Sequence, residues 1–219
     1  MALNKLKFNS LNVTPAAGKS IGFNSSANGL EATFSGGAMT IVKKLTASSS
    51  STLSFVNGSS DVILDSTFKE YIFVFTNIHL SSNTSSLFFN GSIDGGSNYN
   101  VTKTTTNFEA NHSEDNSATA LSYKSDRDLA QSTSDQIISN EPGNDNDQNM
   151  SGYMHLFDPS STTFVKHFIL RQNSTYKADY SVDVHIGGYF NTTSAVNAII
   201  FKPDSGTIDS GTITLYGIN

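Results

Sequence analysis

The sequence predicts an all-β protein: an antiparallel β-sandwich of jelly-roll type with an extended N-terminal arm over residues 1–38 and a long acidic loop over about 109–149. Three observations predict it. Polar and apolar residues alternate with period 2, most cleanly in "YSVDVHIGGYF", where Tyr180, Val182, Val184 and Ile186 take one side and Ser181, Asp183 and His185 the other. That is the pattern of a strand with one face in a core and one in water. Turn residues recur at short intervals: Asn57-Gly58, Asp94-Gly95-Gly96 and Asp158-Pro159-Ser160. Finally, Ser, Thr and Asn crowd almost every stretch while Pro is held to 4 and charged residues to 15%. Short strands joined by polar turns fit that composition better than helices do. A chain of 219 residues can bury a sizeable core, and all-β bodies of this size commonly form one domain.

Taken in order, residues 1–38 are rich in Gly, Ala, Asn and Ser with scattered Leu and Phe. Such a segment gains little by folding alone, so it reads either as a loose terminus or as an arm that docks on a neighbour. Residues 39–219 make the sandwich domain. "MTIVKKLTAS" opens it, and "STLSFVNG" and "DVILDS" read as two short strands around the Asn57-Gly58 turn. Tyr71 to Ile78 is almost continuously apolar and aromatic, as a strand covered on both faces would be. Leu87 to Ile93 and Tyr99 to Thr106 flank Asp94-Gly95-Gly96 and are expected to pair as a hairpin, with glycine supplying the positive φ of the turn.

The acidic stretch then breaks the rhythm. From Glu109 to Asp147 the acids are Glu109, Glu114, Asp115, Asp126, Asp128, Asp135, Glu141, Asp145 and Asp147, against Lys124 and Arg127. Ser125 or Asp126 is placed to cap a short helix with Leu129, Thr133 and Ile137 on one face; a surface excursion or a weakly paired strand is the competing reading. A connection this long is usually functional or mobile. "SGYMHLF", "TFVKHFILRQ", "YSVDVHIGGYF", "VNAIIFK" and "TITLYGI" complete nine or ten strands, the last closing a hairpin through the turn-rich Gly206 to Gly211.

Several function classes are disfavoured by the residues themselves. With no cysteine there is no disulfide, thiol nucleophile or Cys-based zinc site. The net charge of −6 opposes a nucleic-acid surface, which needs clustered Lys and Arg. "MALNKLKFNSLNV" lacks the apolar run of a secretory signal, and no stretch approaches the roughly 20 apolar residues of a membrane span. The expectation is a soluble chain kept in the cytosol that made it, with no membrane insertion. The Asn-x-Ser/Thr sequons at Asn57, Asn90, Asn100 and Asn191 follow from a composition so rich in these residues.

Catalytic and metal motifs are weak in the same way. "GNDNDQN" sets Asp145, Asp147 and Asn149 at alternate positions, but Met150 and Leu156 stand where a calcium loop needs its glycine and bidentate glutamate. His79, His112, His155, His167 and His185 never take zincin spacing; His155, His167 and His185 fall on three separate predicted strands, and whether these converge on one sheet face is not written in their spacing, so the histidines read as structural. No G-x-S-x-G frame is present, and "DGGSN" is followed by a strand rather than a phosphate-binding helix. Glycoside cleavage needs two carboxyls about 5 to 9.5 Å apart across a cleft, and the acids here cluster in one segment. No catalytic residue, metal ligand or cofactor is expected. Phe73, Phe75, Phe88 and Phe168 read as core, while Tyr123 and Tyr153 are surface tyrosines suited either to packing or to stacking on sugar rings.

Five stretches carry a resemblance: "KKLTASSSSTLSFVNGSSDVILDSTFKEYIFVFTNIH" (43–79), "GSIDGGSNYN" (91–100), "SSTTFVKHF" (160–168), "DYSVDVHIGGYFNTTSAVNAI" (179–199) and "SGTIDSGTITLYGI" (205–218). In these the chain resembles virion structural proteins of tailed bacteriophages that infect marine bacteria, from about residue 40 onward. The resemblance implies a non-enzymatic virion component assembled in the bacterial cytoplasm, a tail fibre or tail-associated spike, with capsid decoration the second placement. It implies other virion proteins as partners, a homo-oligomer with a trimer favoured, and host attachment, where a surface glycan is the possible ligand. Its motifs are strand and turn text and assign no receptor-binding residue.

Overall fold

The computed structural model describes residues 38–218 and, before them, the backbone of 20–23 and 30–33. The chain divides into two compact units, residues 1–38 and 39–219. In the first, β1 (Ser20–Phe23) and β2 (Leu30–Thr33) pair antiparallel, with Ser20 opposite Thr33 and Phe23 opposite Leu30. The remainder of the predicted docking arm lies outside the described residues.

The second unit is built from β3 (Met39–Thr46), β4 (Leu53–Val56), β5 (Glu70–Leu80), β6 (Leu87–Ser92), β7 (Lys103–Ser113), β8 (Thr119–Tyr123), β9 (Leu129–Ser132), β10 (Gln136–Ser139), β11 (Met150–Phe157), β12 (Lys166–Tyr176), β13 (Tyr180–Phe190), β14 (Ala198–Pro203) and β15 (Ile208–Ile218). All pairings are antiparallel, and no helix occurs among the described residues. A four-stranded sheet runs β10-β6-β14-β4; a nine-stranded sheet runs β3-β15-β5-β11-β12-β13-β7-β8, with β9 also on β7.

The two sheets face each other across a core of aromatic rings. Phe55 on β4 meets Phe73 on β5 edge to face at 5.2 Å, Phe201 on β14 meets Phe75 on β5 at 5.2 Å, and Phe89 on β6 meets Phe168 on β12 at 5.2 Å. Edge-to-face contact sets the positive rim of one ring on the negative face of the next. Full burial of each such side chain contributes about 1.5–3 kcal/mol. The alternation read in "YSVDVHIGGYF" holds: Val184 and Ile186 are buried while Ser181, Asp183 and His185 face outward. β12 and β13 pair over their whole length, from Lys166 opposite Phe190 to Tyr176 opposite Tyr180.

Several expectations are corrected. "DVILDS" is no strand: Ser60 and Asp61 take positive φ, Gly58 N–H donates to Val62 O and Leu64 N–H to Asn57 Oδ1, so local bonds replace a ladder while Val62 and Leu64 are buried. The helix through "RDLAQSTSDQIIS", residues 127–139, is absent; Leu129–Ser132 and Gln136–Ser139 are short strands that join different sheets, and together with β8 they lift the strand number above nine or ten. β5 buries Tyr71, Phe73 and Phe75, but its other face, with Ile72 and Val74, is only half covered. Phe88 is half-buried and its neighbour Phe89 is the core residue, because the register of β6 turns Phe89 inward.

Neither glycine-rich connection makes the hairpin expected of it. β6 belongs to the small sheet and β7 to the large one, so Asp94-Gly95-Gly96 turns a corner between sheets. Gly95 and Gly96 do take positive φ there, and Asp94 gathers Ser92 Oγ–H and the Asn98 backbone and side-chain N–H groups, which holds its carboxyl at about 2. β14 and β15 likewise sit in different sheets, although Gly206 does turn the chain between them. In each case the core is better closed by a strand on the opposite layer than by one beside it.

Candidate functional site

The nine-stranded sheet turns one face outward, with Thr106, Phe108, Ala110, His167, Ile169 and Arg171 exposed along it. Register places one transverse row across it: Lys44 beside Thr214, then Val74, Tyr153, Arg171, His185, Phe108 and Tyr123. Residues of opposite charge or with flat rings make favourable cross-strand neighbours, and this row uses both. The Phe108 and His185 rings stack at 4.8 Å, nearly parallel. Arg171 grips Asp183 with two bonds, Nε to Oδ1 at 3.1 Å and Nη2 to Oδ2 at 2.8 Å. That fork holds the Asp183 carboxyl below the usual carboxylate range.

Apolar side chains surround the row without cover. Ile41 on β3 is 65% exposed, Leu121 on β8 76% and Ile169 on β12 55%, and Met39, Phe108, Tyr123 and Tyr153 are exposed as well. Next to Tyr153 a shallow cleft of about 410 Å³ opens over Ser151, Gly152, Arg171, Asn173 and Asp183. Gly152 lines it with backbone alone; on the inner side it faces buried Gln172, where a Cβ would stand 2.3 Å from the Arg171 carbonyl oxygen. Tyr123 and Tyr153 are thus on the surface as read from sequence, and Tyr123 Oη–H donates to Asp128 Oδ2 at 2.5 Å.

The three histidines His155, His167 and His185 do share this face, on adjacent strands, but each has its own neighbour. His155 contacts Glu70, His167 lies beside Tyr189, and His185 stacks on Phe108. Among the described residues no three His, Asp or Glu gather in metal-ligating geometry. Asp145 closes a local turn, its carbonyl accepting from Gln148 N–H at 2.9 Å.

A second concavity, of about 230 Å³, lies at the end of the sandwich between the acidic segment and the large sheet. Glu109, nearly buried on β7, is clamped by Lys124 Nζ at 2.7 Å and Arg127 Nη1 at 2.6 Å. Glu141 bonds Lys177 at 2.8 Å and accepts from Tyr176 Oη at 3.2 Å; burial, with Glu141 beside it, pushes the Tyr176 hydroxyl up. The basic residues of the acidic segment therefore close back onto its own carboxylates. The segment is tied to the edge of the sheet by paired charge, an arrangement the residue count alone does not reveal.

Two lysines were missed entirely by sequence reasoning. Lys103 and Lys166 are fully buried and flank Phe190 in one transverse row of the large sheet. Charge in a sequence is ordinarily a surface signal, and nothing in "VTKTTT" or "FVKHF" marks an exception. Against known proteins, the chain matches no protein-family model, no curated protein and no solved structure.

Proposed function

We propose that the protein is a non-enzymatic structural component of a bacteriophage particle, a tail fibre or tail-associated spike subunit that works by assembly. The observation that carries this is the uncovered apolar face of the large sheet, with Ile41, Leu121 and Ile169 all more than half exposed. These residues are spaced across the face on β3, β12 and β8, and a second copy of the chain laid over the sheet would cover them together. A homo-oligomer, a trimer by preference, would bury it and cover the edge strands β3 and β8 as well. The sandwich is of the jelly-roll type in this reading, supported by the way distant strands interleave: β14 between β6 and β4, β15 between β3 and β5. Residues 1–38 serve as the docking arm. Capsid decoration is the second placement on the particle. A glycan-binding role has its own support in the cleft over Gly152, where Tyr153 offers a ring and Arg171, Asn173 and Asp183 offer polar groups.

The test pairs Ile169→Lys with Leu121→Lys in the full chain. Sedimentation should find the unaltered protein as a discrete oligomer and the double variant as a monomer, with an unchanged circular-dichroism spectrum and stability within about 0.5 kcal/mol. An unaltered chain that sediments as a monomer at micromolar concentration overturns the assembly reading. A chain abundant in infected cells yet missing from purified particles overturns the placement on the virion.

A further inference from the structure

The corner between β6 and β7 brings together three side chains that no functional reading has used. Lys103 Nζ lies 2.9 Å from Asn90 Oδ1, both residues at 0% exposure. The amide nitrogen of the same Asn90 donates to Asp135 Oδ1 at 2.9 Å and to the Thr133 carbonyl at 3.1 Å. Gly91 N–H donates to Asn90 Oδ1 at 2.9 Å. We propose that Lys103 Nζ and Asn90 Cγ condense into an intramolecular isopeptide bond with release of ammonia, Asp135 shuttling the proton.

Each group stands where that reaction needs it. A nucleophilic amine must be neutral and held against its carbonyl. Burial drives the Lys103 ammonium down to about 8, with Asp135 opposing the shift, so an appreciable fraction is free amine near neutral pH. The rings of Phe89, Phe168 and Phe190 pack together beside it, with Phe190 directly opposite Lys103 in the β7–β13 ladder. As the amine adds to Cγ, the new N–C bond forms and negative charge grows on Oδ1, which already faces the Gly91 N–H, a donor aimed as in an oxyanion hole. The Asp135 carboxylate takes a proton from the added nitrogen and returns it to Nδ2. The Cγ–Nδ2 bond then breaks, Nδ2 leaves as ammonia, and the carbonyl re-forms as a secondary amide. Atoms and charge balance without an oxidant. Asp135 keeps its other oxygen on Lys202 Nζ at 2.8 Å, which orients it for the transfer.

Lys166 is the internal contrast. It is as deeply buried, yet its ammonium meets only the carbonyls of Phe164 at 2.9 Å and Thr192 at 3.1 Å, and no side-chain amide. The geometry selects one lysine of the two. Its product would join the four-stranded sheet, through β6, to the nine-stranded sheet, through β7, in a protein without a single cysteine.

The experiment is the intact mass of the purified full-length protein. The expected value is the sequence mass less one ammonia, with a tryptic peptide running from Glu70 to Lys124 uncut at Lys103. A chymotryptic cut at Tyr99 should leave the two halves of that peptide joined. Lys103→Arg and Asp135→Ala should each restore the full mass, while Lys166→Arg should still lack the ammonia. Asp135→Ala retains both reacting residues, and Asp135→Asn serves where the alanine variant does not fold. Full mass in the unaltered protein overturns the proposal. So does an ammonia loss that persists in Lys103→Arg, since that assigns it to ring closure by the Gly91 nitrogen on Asn90.

Discussion

Phe201→Ala probes the joint between the two sheets. Phe201 is completely buried on β14, with ring centroids of Phe75 at 5.2 Å and Phe73 at 5.4 Å on the opposite sheet, and Phe55 at 6.3 Å and Phe89 at 6.4 Å on its own. Truncation removes the ring that all four share, and because those four belong to paired strands they cannot collapse into the space. Phe→Ala in a core costs about 3–5 kcal/mol. The lost ring pairs are worth about 0.5–1.5 kcal/mol each and are not additive, which puts this site near 5 kcal/mol. A native domain holds about 5–15 kcal/mol in all, so the variant should fold but stand close to the edge. At about 2–4 °C per kcal/mol for a protein of this size, Tm falls by about 10–20 °C. Urea unfolding followed by far-UV circular dichroism measures the loss directly. Phe164→Ala is the control: its ring is 69% exposed and its removal should change stability by no more than about 0.5 kcal/mol. A loss below about 1.5 kcal/mol at Phe201, or an equal loss at Phe164, refutes the ring cluster as the inter-sheet joint.

Two further expectations follow from the same geometry. Gly152→Ala forces a Cβ to 2.3 Å from the Arg171 carbonyl oxygen and 2.6 Å from Gln172 Cα, both backbone, so β11 must shift from β12 at about 1–3 kcal/mol; a chain as stable as the original by urea titration would show that the strands slide freely there. In Asp135→Ala, where the Lys103 amine stays free, the folded-state value lies below the unfolded 10.5 because burial disfavours the charge, and the folded state binds fewer protons between the two. The variant also loses the upward pull of Asp135, so stability should rise with pH from below about 8 up to the unfolded value, a rise absent from the unaltered protein once its amine is consumed; equal slopes in both chains, measured by denaturant titration across that range, would contradict this.

Much of the strand content was legible because its signal is local. Tyr180 to Ile186 alternates in sequence and alternates in space, since successive side chains of an extended backbone must leave on opposite sides. The turns at Gly58, Gly95 and Gly96 were legible for a similar reason: their positive φ is cheap for glycine. The acidic segment misled because Leu129, Thr133 and Ile137 satisfy helical spacing, yet Leu129 pairs with Thr105 on one sheet and Ile137 with Phe88 on the other. Burial against two sheets outweighed a weak local preference. The outer row from Lys44 to Tyr123 could not be read at all, since it depends on the register of eight strands drawn from across the chain.

What the residues alone determined is which stretches are extended, which face of each is apolar and where the chain reverses, because backbone sterics and side-chain alternation act within a few residues. What only the tertiary structure decided is which sheet each strand enters, and so that Phe201 links two layers, that Ile41, Leu121 and Ile169 are left in water, and that Asn90 meets Lys103 across a corner. Partner choice is settled by burying the whole apolar surface at once, a sum over residues far apart in sequence that no short window contains.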